Sequence, residues 1–375
     1  MKNFTIIMIA FLAISLINNT NTNAQGCVAI RHFSTCSGNP NASMQTGKGV
    51  TILSTNYRYF KSFRHFRGTH EEPDRLANNS EVINKSHSLD INLNYGLSNK
   101  AYLTATLPFV YNDRSSLYEH GRTERHNSYS KGLGDARVGM GFWLKDVTSA
   151  HSGNVSLNLG LKLPTGNYNA MSTFYNVGEN GSPEERPVDQ SIQPGDGGWA
   201  LTTGFLAFKQ IGTRLSFYGS GFYMFNPKET NGTRTYRETL SPILQNEAIM
   251  AATDQYSIAA GFNYSFFKPS LSLGLGGRFE GIPVKDVIGG DQGFRRPGMV
   301  GSVEPSLMYM KDRVMLSVSV PIALYRNRPQ SVTDLETEIA TGNPRNGDAA
   351  FADYLINVGL SFNLTKRKND LIDNQ

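Results

Sequence analysis

The sequence predicts an all-β chain: a transmembrane antiparallel up-and-down β-barrel of about 12 strands, of the outer-membrane type. Three observations predict it. Segments of strand length alternate apolar and polar residues at period two. Short and long connections between those segments alternate along the chain. The chain opens with an export signal, and no later apolar run is long enough to cross a bilayer as a helix.

Twelve segments carry the alternation, near 49–62, 86–97, 100–112, 134–145, 153–164, 198–210, 213–226, 255–267, 269–281, 299–310, 313–325 and 351–363. In the second, Leu89, Ile91, Leu93 and Tyr95 share one face, and Asp90, Asn92 and Asn94 share the other. In the fifth, Val155, Leu157, Leu159 and Leu161 oppose Ser156, Asn158, Gly160 and Lys162. In the last, Tyr354, Ile356, Val358, Leu360 and Phe362 oppose Asn357, Gly359 and Ser361. Successive strand side chains point to opposite faces, so each segment has one apolar and one polar side. The first segment is the least regular, because Thr51 to Phe60 alternates badly.

Five connections are short, such as Leu97 to Ala101 and Gln210 to Thr213, and six are long, near 63–85, 113–133, 165–197, 227–254, 282–298 and 326–350. Outer-membrane barrels have short periplasmic turns and long outer loops. A soluble sandwich gives no reason to gather every long loop at one end. Aromatics at segment ends, among them Tyr111, Trp143, Trp199, Phe266 and Tyr325, suit the interface girdles of a membrane barrel.

Composition agrees and excludes other classes. Charged residues are 18% of the 375, below the roughly 25% of ordinary soluble proteins. With 17 Tyr and 21 Phe the chain is too aromatic for disorder, and two Cys cannot staple this length. A formal charge of +5 with no internal basic block gives no footprint for nucleic acid.

Lys2 precedes an apolar run from Phe4 to Ile17, and Thr22-Asn23-Ala24 offers small residues to signal peptidase. The expected division is a signal peptide over 1–24, a periplasmic segment over 25–48, the barrel over 49–363 and a polar tail over 364–375. An even strand count puts both termini in the periplasm, so the expected location is the outer membrane of a Gram-negative bacterium. Export makes a disulfide between Cys27 and Cys36 the default, and a loop this short is worth roughly 2–3 kcal/mol in the loop-entropy model. The expected partners are outer-membrane lipid, a small-molecule solute and the outer-membrane assembly machinery. Phe362 could serve that machinery as a terminal aromatic, although the Lys366-Arg367-Lys368 tail departs from the usual ending.

Three glycine-rich stretches stand out: Gly132-Leu133-Gly134-Asp135, Leu161-Lys162-Leu163-Pro164-Thr165-Gly166 and Gln193-Pro194-Gly195-Asp196-Gly197-Gly198-Trp199. Together they resemble the outer-membrane barrel family called "MetA-pathway of phenol degradation", over roughly residues 86–363. The resemblance implies a membrane barrel and uptake of small compounds, aromatic ones among them.

A search for catalytic chemistry returns little. His126-Asn127-Ser128 has the His/Ser spacing of a barrel phospholipase, but it falls in a polar loop with no acid to complete it. His65, His70, Glu71, Glu72 and Asp74 cluster in the first long connection, where a solvated loop is the simpler reading than a metal site. No cofactor motif occurs, and no enzyme activity is expected. If the alternation holds, the ionisable residues lining the lumen are Asp90, Arg137, Lys145, Lys162, Arg214, Arg278, Glu280 and Glu304, five basic and three acidic. They would either pair across the barrel or form a weakly anion-favouring path. Eight strands are nearly filled by side chains and sixteen leave an open channel, so about twelve should give a narrow or gated path. The expected function is a channel or transporter for small solutes, and the alternative is a non-transporting structural or surface-binding barrel.

Overall fold

The computed structural model describes residues 45–237, 240, 246–266 and 271–365. The expected signal peptide over 1–24, Cys27 with Cys36, and the Lys366-Arg367-Lys368 tail lie outside the described residues.

The barrel is built from β1 (Thr51–Arg67), β2 (Ile83–Gly96), β3 (Ala101–Ser116), β4 in two pieces (His126–Leu133 and Arg137–Trp143), β5 (Gly153–Lys162) and β6 (Ala200–Gln210). It continues with β7 (Leu215–Phe225), β8 (Gln255–Phe266), β9 (Leu271–Ile282), β10 (Gly298–Lys311), β11 in two pieces (Val314–Ser319 and Ile322–Asn327) and β12 (Ala349–Asn363). Each strand pairs antiparallel with its neighbour in sequence, and β12 pairs back onto β1 from Ile52↔Asn363 to Phe66↔Ala349. The result is a closed antiparallel barrel of 12 strands, as the alternation predicts. Closure leaves no free edge, so every strand's backbone groups find partners without water.

Two strands are interrupted. β4 breaks at Gly134-Asp135-Ala136, and both of its pieces remain paired to β3. β11 breaks at Val320-Pro321, where proline has no N–H to give the ladder. The Val320 amide turns to the Pro305 carbonyl instead, at 3.1 Å.

Several strands run farther toward the long loops than the alternation indicates. β1 continues to Arg67, β3 continues to Ser116, and the first piece of β4 lies within the expected 113–133 loop. There the ladder, for example Ser115↔Asn127, stands beyond the lipid with polar residues on both faces. No apolar face marks it in the sequence.

Burial is inverted relative to a soluble protein. Leu93, Leu159 and Leu275 are 43%, 53% and 60% exposed, whereas Asn92, Ser156 and Lys162 are almost completely buried. The apolar face of each strand meets lipid and the polar face meets the lumen. Large inward rings lie flat across the neighbouring strand, which only glycine permits. A Cβ on Gly141 would come within 2.1 Å of the Tyr102 ring, and one on Gly276 within 2.2 Å of the Tyr218 hydroxyl.

The two ends differ. At the short-turn end, Gln45 and Thr46 enter the mouth and are buried, and Gln45 Oε1 accepts from Asn154 Nδ2 at 2.8 Å. At the other end the connections carry their own structure. Met171–Phe174 pairs with Glu184–Pro187, and Thr230–Arg234 pairs with Ile249–Ala251. A helix spans Val332–Thr341, with a capping box between Ser331 and Asp334 and a left-handed Gly342 behind it.

The exposed Ser182 and Gly232 lie in these long connections. Single cysteines at either position should label on whole cells with an impermeant thiol reagent. Labelling only after rupture of the outer membrane would reverse the assigned orientation.

Candidate functional site

Six of the eight expected lumen residues come together inside the barrel. β2, β4, β5, β9 and β10 turn Asp90, Arg137, Lys162, Arg278, Glu280 and Glu304 inward, and all six are buried. Arg137 Nη2 donates to Asp90 Oδ2 at 2.5 Å. Arg278 clamps Glu304 through Nε and Nη2, both at 2.9 Å, and reaches Glu280 Oε2 at 3.4 Å. Lys145 and Arg214 do not belong to this group. Both are exposed in short turns, Lys145 after β4 has ended at Trp143 and Arg214 before β7 begins at Leu215. Period-two parity has no meaning once the ladder stops.

Three charged residues of the interior were missed. Arg58 on β1 stands between the two ion-paired groups, within electrostatic reach of Asp90, Glu280, Arg278 and Arg137. Asp135 and Asp196 are buried beside Lys162, whose ammonium contacts the Asp196 carboxylate and lies 3.8 Å from Asp135. Arg58 lies in the strand that alternates worst and Asp196 in a loop, so parity could assign neither; Asp135 shares the parity of Arg137 within the expected 134–145 segment, and the structure puts it in the break of β4. With these residues the interior charge is nearly balanced, and the charges stand in pairs.

The three glycine-rich stretches meet at this point. Asp135 accepts the Gly166 amide through Oδ1 and the Asp196 amide through Oδ2, both at 3.0 Å. A Cβ on Gly195 would lie 2.5 Å from the Gly166 carbonyl oxygen and 2.7 Å from Asp135 Oδ1. The stretches are rich in glycine because three backbones pack against one carboxylate and one buried lysine.

Two interior cavities flank Arg137. One, of about 160 Å³, lies toward the short turns and is lined by Tyr102, Trp143, Phe205 and Phe222 together with Asn92, Asn158 and Arg137. The other, of about 50 Å³, is lined by Arg58, Asp90, Arg137, Lys162 and Gln193. The connection between β5 and β6 reaches down to the second cavity, where the Ile192 carbonyl accepts from Asn112 Nδ2 at 3.1 Å and from the Ser130 hydroxyl.

Above the cavities the long connections are tied to one another. Asp189 accepts Arg296 through two bonds at 2.6 and 2.7 Å and lies 3.4 Å from Arg114 on β3. Burial pushes the Asp189 carboxyl up, but Arg114 and Arg296 outweigh it and hold it well below the usual carboxylate range. One column of flat groups crosses the mouth. His120 stacks on Phe174 at 5.3 Å, and Phe174 on Tyr236 at 5.7 Å and 11°. Arg237 lies 4.7 Å from the Tyr236 ring and 5.4 Å from Phe294, and Arg296 lies 4.6 Å from Phe294 on the same column. These six residues come from four connections that are distant in sequence.

The histidines have structural surroundings. His65 Nε2 accepts the Val82 amide at 2.7 Å and Nδ1 faces Asp348 Oδ2 at 2.8 Å, so both ring nitrogens are occupied. His126 stacks on Tyr175 at 4.4 Å, and the Ser128 hydroxyl is buried with no hydrogen-bond partner, so His126 and Ser128 do not form a base–nucleophile pair.

No protein-family model and no curated protein sequence matches the chain, so the family resemblance rests on the glycine-rich stretches alone. Among solved structures, the chain is similar to an outer membrane channel from Pseudomonas putida F1, with a TM-score of 0.52 at 12% identity over 84% of this chain and 96% of that one. The Pseudomonas putida toluene transporter TodX aligns with a TM-score of 0.43 at 9% identity, over 91% of this chain and 96% of its own. The β-domain of the Bordetella autotransporter BrkA aligns with a TM-score of 0.44 at 10% identity, over 84% and 100%. At these identities the first likeness is one of fold, and it places the chain in the class of outer-membrane-type β-barrels.

Two predictions follow from the geometry. Arg278→Met should cost about 3–5 kcal/mol, because it strands buried Glu304 and Glu280 without a cation. Adding Glu304→Leu should recover part of that loss in urea unfolding, and a double variant no more stable than the single would deny the pairing. The second concerns His120 in the loop column. Burial, with help from His126 and Arg114, lowers its pKa from 6.5 to about 4. Below pH 6.5 the unfolded chain binds a proton that the folded chain refuses, so this contribution to stability is lost as pH falls from about 6.5 to about 4. The thermal midpoint of His120→Phe, which keeps a ring in the column, should fall less across that window than that of the natural protein.

Proposed function

We propose that this protein is a channel for small solutes in the outer membrane of a Gram-negative bacterium, and that the charged belt around Arg137 is its constriction. The observation that carries the reading is the pair of cavities on either side of Arg137, inside a closed wall whose inner face is polar. A barrel with only a structural task has no need of two chambers divided by buried ion pairs. Likeness in fold to an outer membrane channel supports the reading.

Hydrophobic or aromatic compounds are the proposed solutes. The larger cavity is close in size to cavities of about 150 Å³ known to hold one benzene ring. Tyr102, Trp143 and Phe222 put aromatic side chains on its lining. The glycine-rich stretches point the same way through the family they resemble.

Conductance in planar bilayers and uptake into liposomes test the proposal. The natural protein should conduct weakly. Arg137→Ala should conduct severalfold more and shift toward cations, because it removes bulk and positive charge at the narrowest point. Arg296→Ala should also raise conductance by cutting the tie to Asp189 between two outer connections. Silence of all three proteins toward ions and toward a labelled monocyclic aromatic would favour the non-transporting reading.

A further inference from the structure

The column over the outer mouth holds more positive charge than its own carboxylates balance. Three guanidinium groups meet there, those of Arg114, Arg237 and Arg296. Arg114 takes Glu119 with bonds of 3.1, 3.0 and 2.6 Å, and Arg296 takes Asp189 with two more. Among the described residues, Arg237 has only the faces of Tyr236 and Phe294. Its Nη1 is buried without a hydrogen-bond partner, and so is the hydroxyl of Tyr236, a residue only 6% exposed. Two carboxyls lie within electrostatic reach without bonding to Arg237: Asp189, already taken by Arg296, and Glu247, which accepts from Thr333 Oγ1 at 3.0 Å and whose pKa burial and Asp334 push up.

A guanidinium with no carboxylate bonded to it, beside a buried hydroxyl without an acceptor, is a costly arrangement in isolation. One ligand relieves both. We propose that Arg237 and Tyr236 are the donors of a binding site for a small oxyanion, a carboxylate or a phosphate, at the outer mouth of the barrel, with Arg296 adding positive charge. The chemistry selects an oxyanion because both unsatisfied groups are donors: a guanidinium has no acceptor, and a phenol hydroxyl beside it gives its proton to the stronger acceptor. Arg237 is half-buried and the Arg296 side chain keeps 14% exposure, so the site is reachable from the loop side. The inference goes beyond the transport reading, since an anion can bind here whether or not the barrel conducts.

Calorimetric titration of the full chain, refolded in detergent, with sodium acetate and with inorganic phosphate at constant ionic strength tests the site. At least one anion should bind, and Arg237→Gln and Tyr236→Phe should each weaken it at least tenfold. Tighter acetate identifies a carboxylate site, and tighter phosphate a phosphate site. If Arg237→Gln loses the heat-modifiable migration of a folded barrel, Tyr236→Phe carries the test, because it removes a single hydroxyl. Failure of both anions to bind the natural protein, or binding unchanged in a folded variant, would overturn the proposal.

Discussion

The structure depends on the pairing of β12 with β1. A strand in lipid must satisfy every backbone N–H and C=O within the protein, and only a closed ladder does so. Once the ladder from Ile52↔Asn363 to Phe66↔Ala349 closes the sheet, the two faces of every strand acquire different solvents. The outer face must be apolar, and the inner face may be polar. The inverted burial of Leu93 against Asn92 follows from that closure and not from any preference of the individual strand.

A polar interior of this width carries its own constraint. Charges in a narrow lumen are largely withdrawn from water, so each needs a partner. The barrel meets this by pairing between strands: Arg278 on β9 with Glu304 on the adjacent β10, and Arg137 on β4 with Asp90 on β2, across the intervening β3. Lys162 is held differently, between one acid from the break of β4 and one from a loop. The break is thus part of the charge balance, because it holds Asp135 beside Lys162. Arg137, held by Asp90, lines both cavities.

Beyond the lipid the physics changes again. The long connections have water on one side and one another on the other, and they associate through rings and guanidinium groups beside a small apolar cluster of Ala170, Val188 and Ile192. Asp189 ties this layer to the wall through Arg114 and to the neighbouring connection through Arg296. Aromatic and guanidinium groups suit the task because they stack while keeping their polar edges free.

Sequence alone determined the wall. Period-two alternation assigned the strands, and the order of short and long connections assigned the ends, because both depend only on residues near one another in the chain. The same local rule placed Asp90, Arg137 and Arg278 inside, and it misplaced Lys145 and Arg214 where the ladder had already stopped. Tertiary structure alone decided the rest. Asp196 lies in a loop with no parity, and only the meeting of three glycine-rich stretches puts it and Asp135 on Lys162. The six-residue column from His120 to Arg296 had no sequence signal. Its members come from four connections that only barrel closure brings to one mouth, and loop contacts carry no period that could be read along the chain.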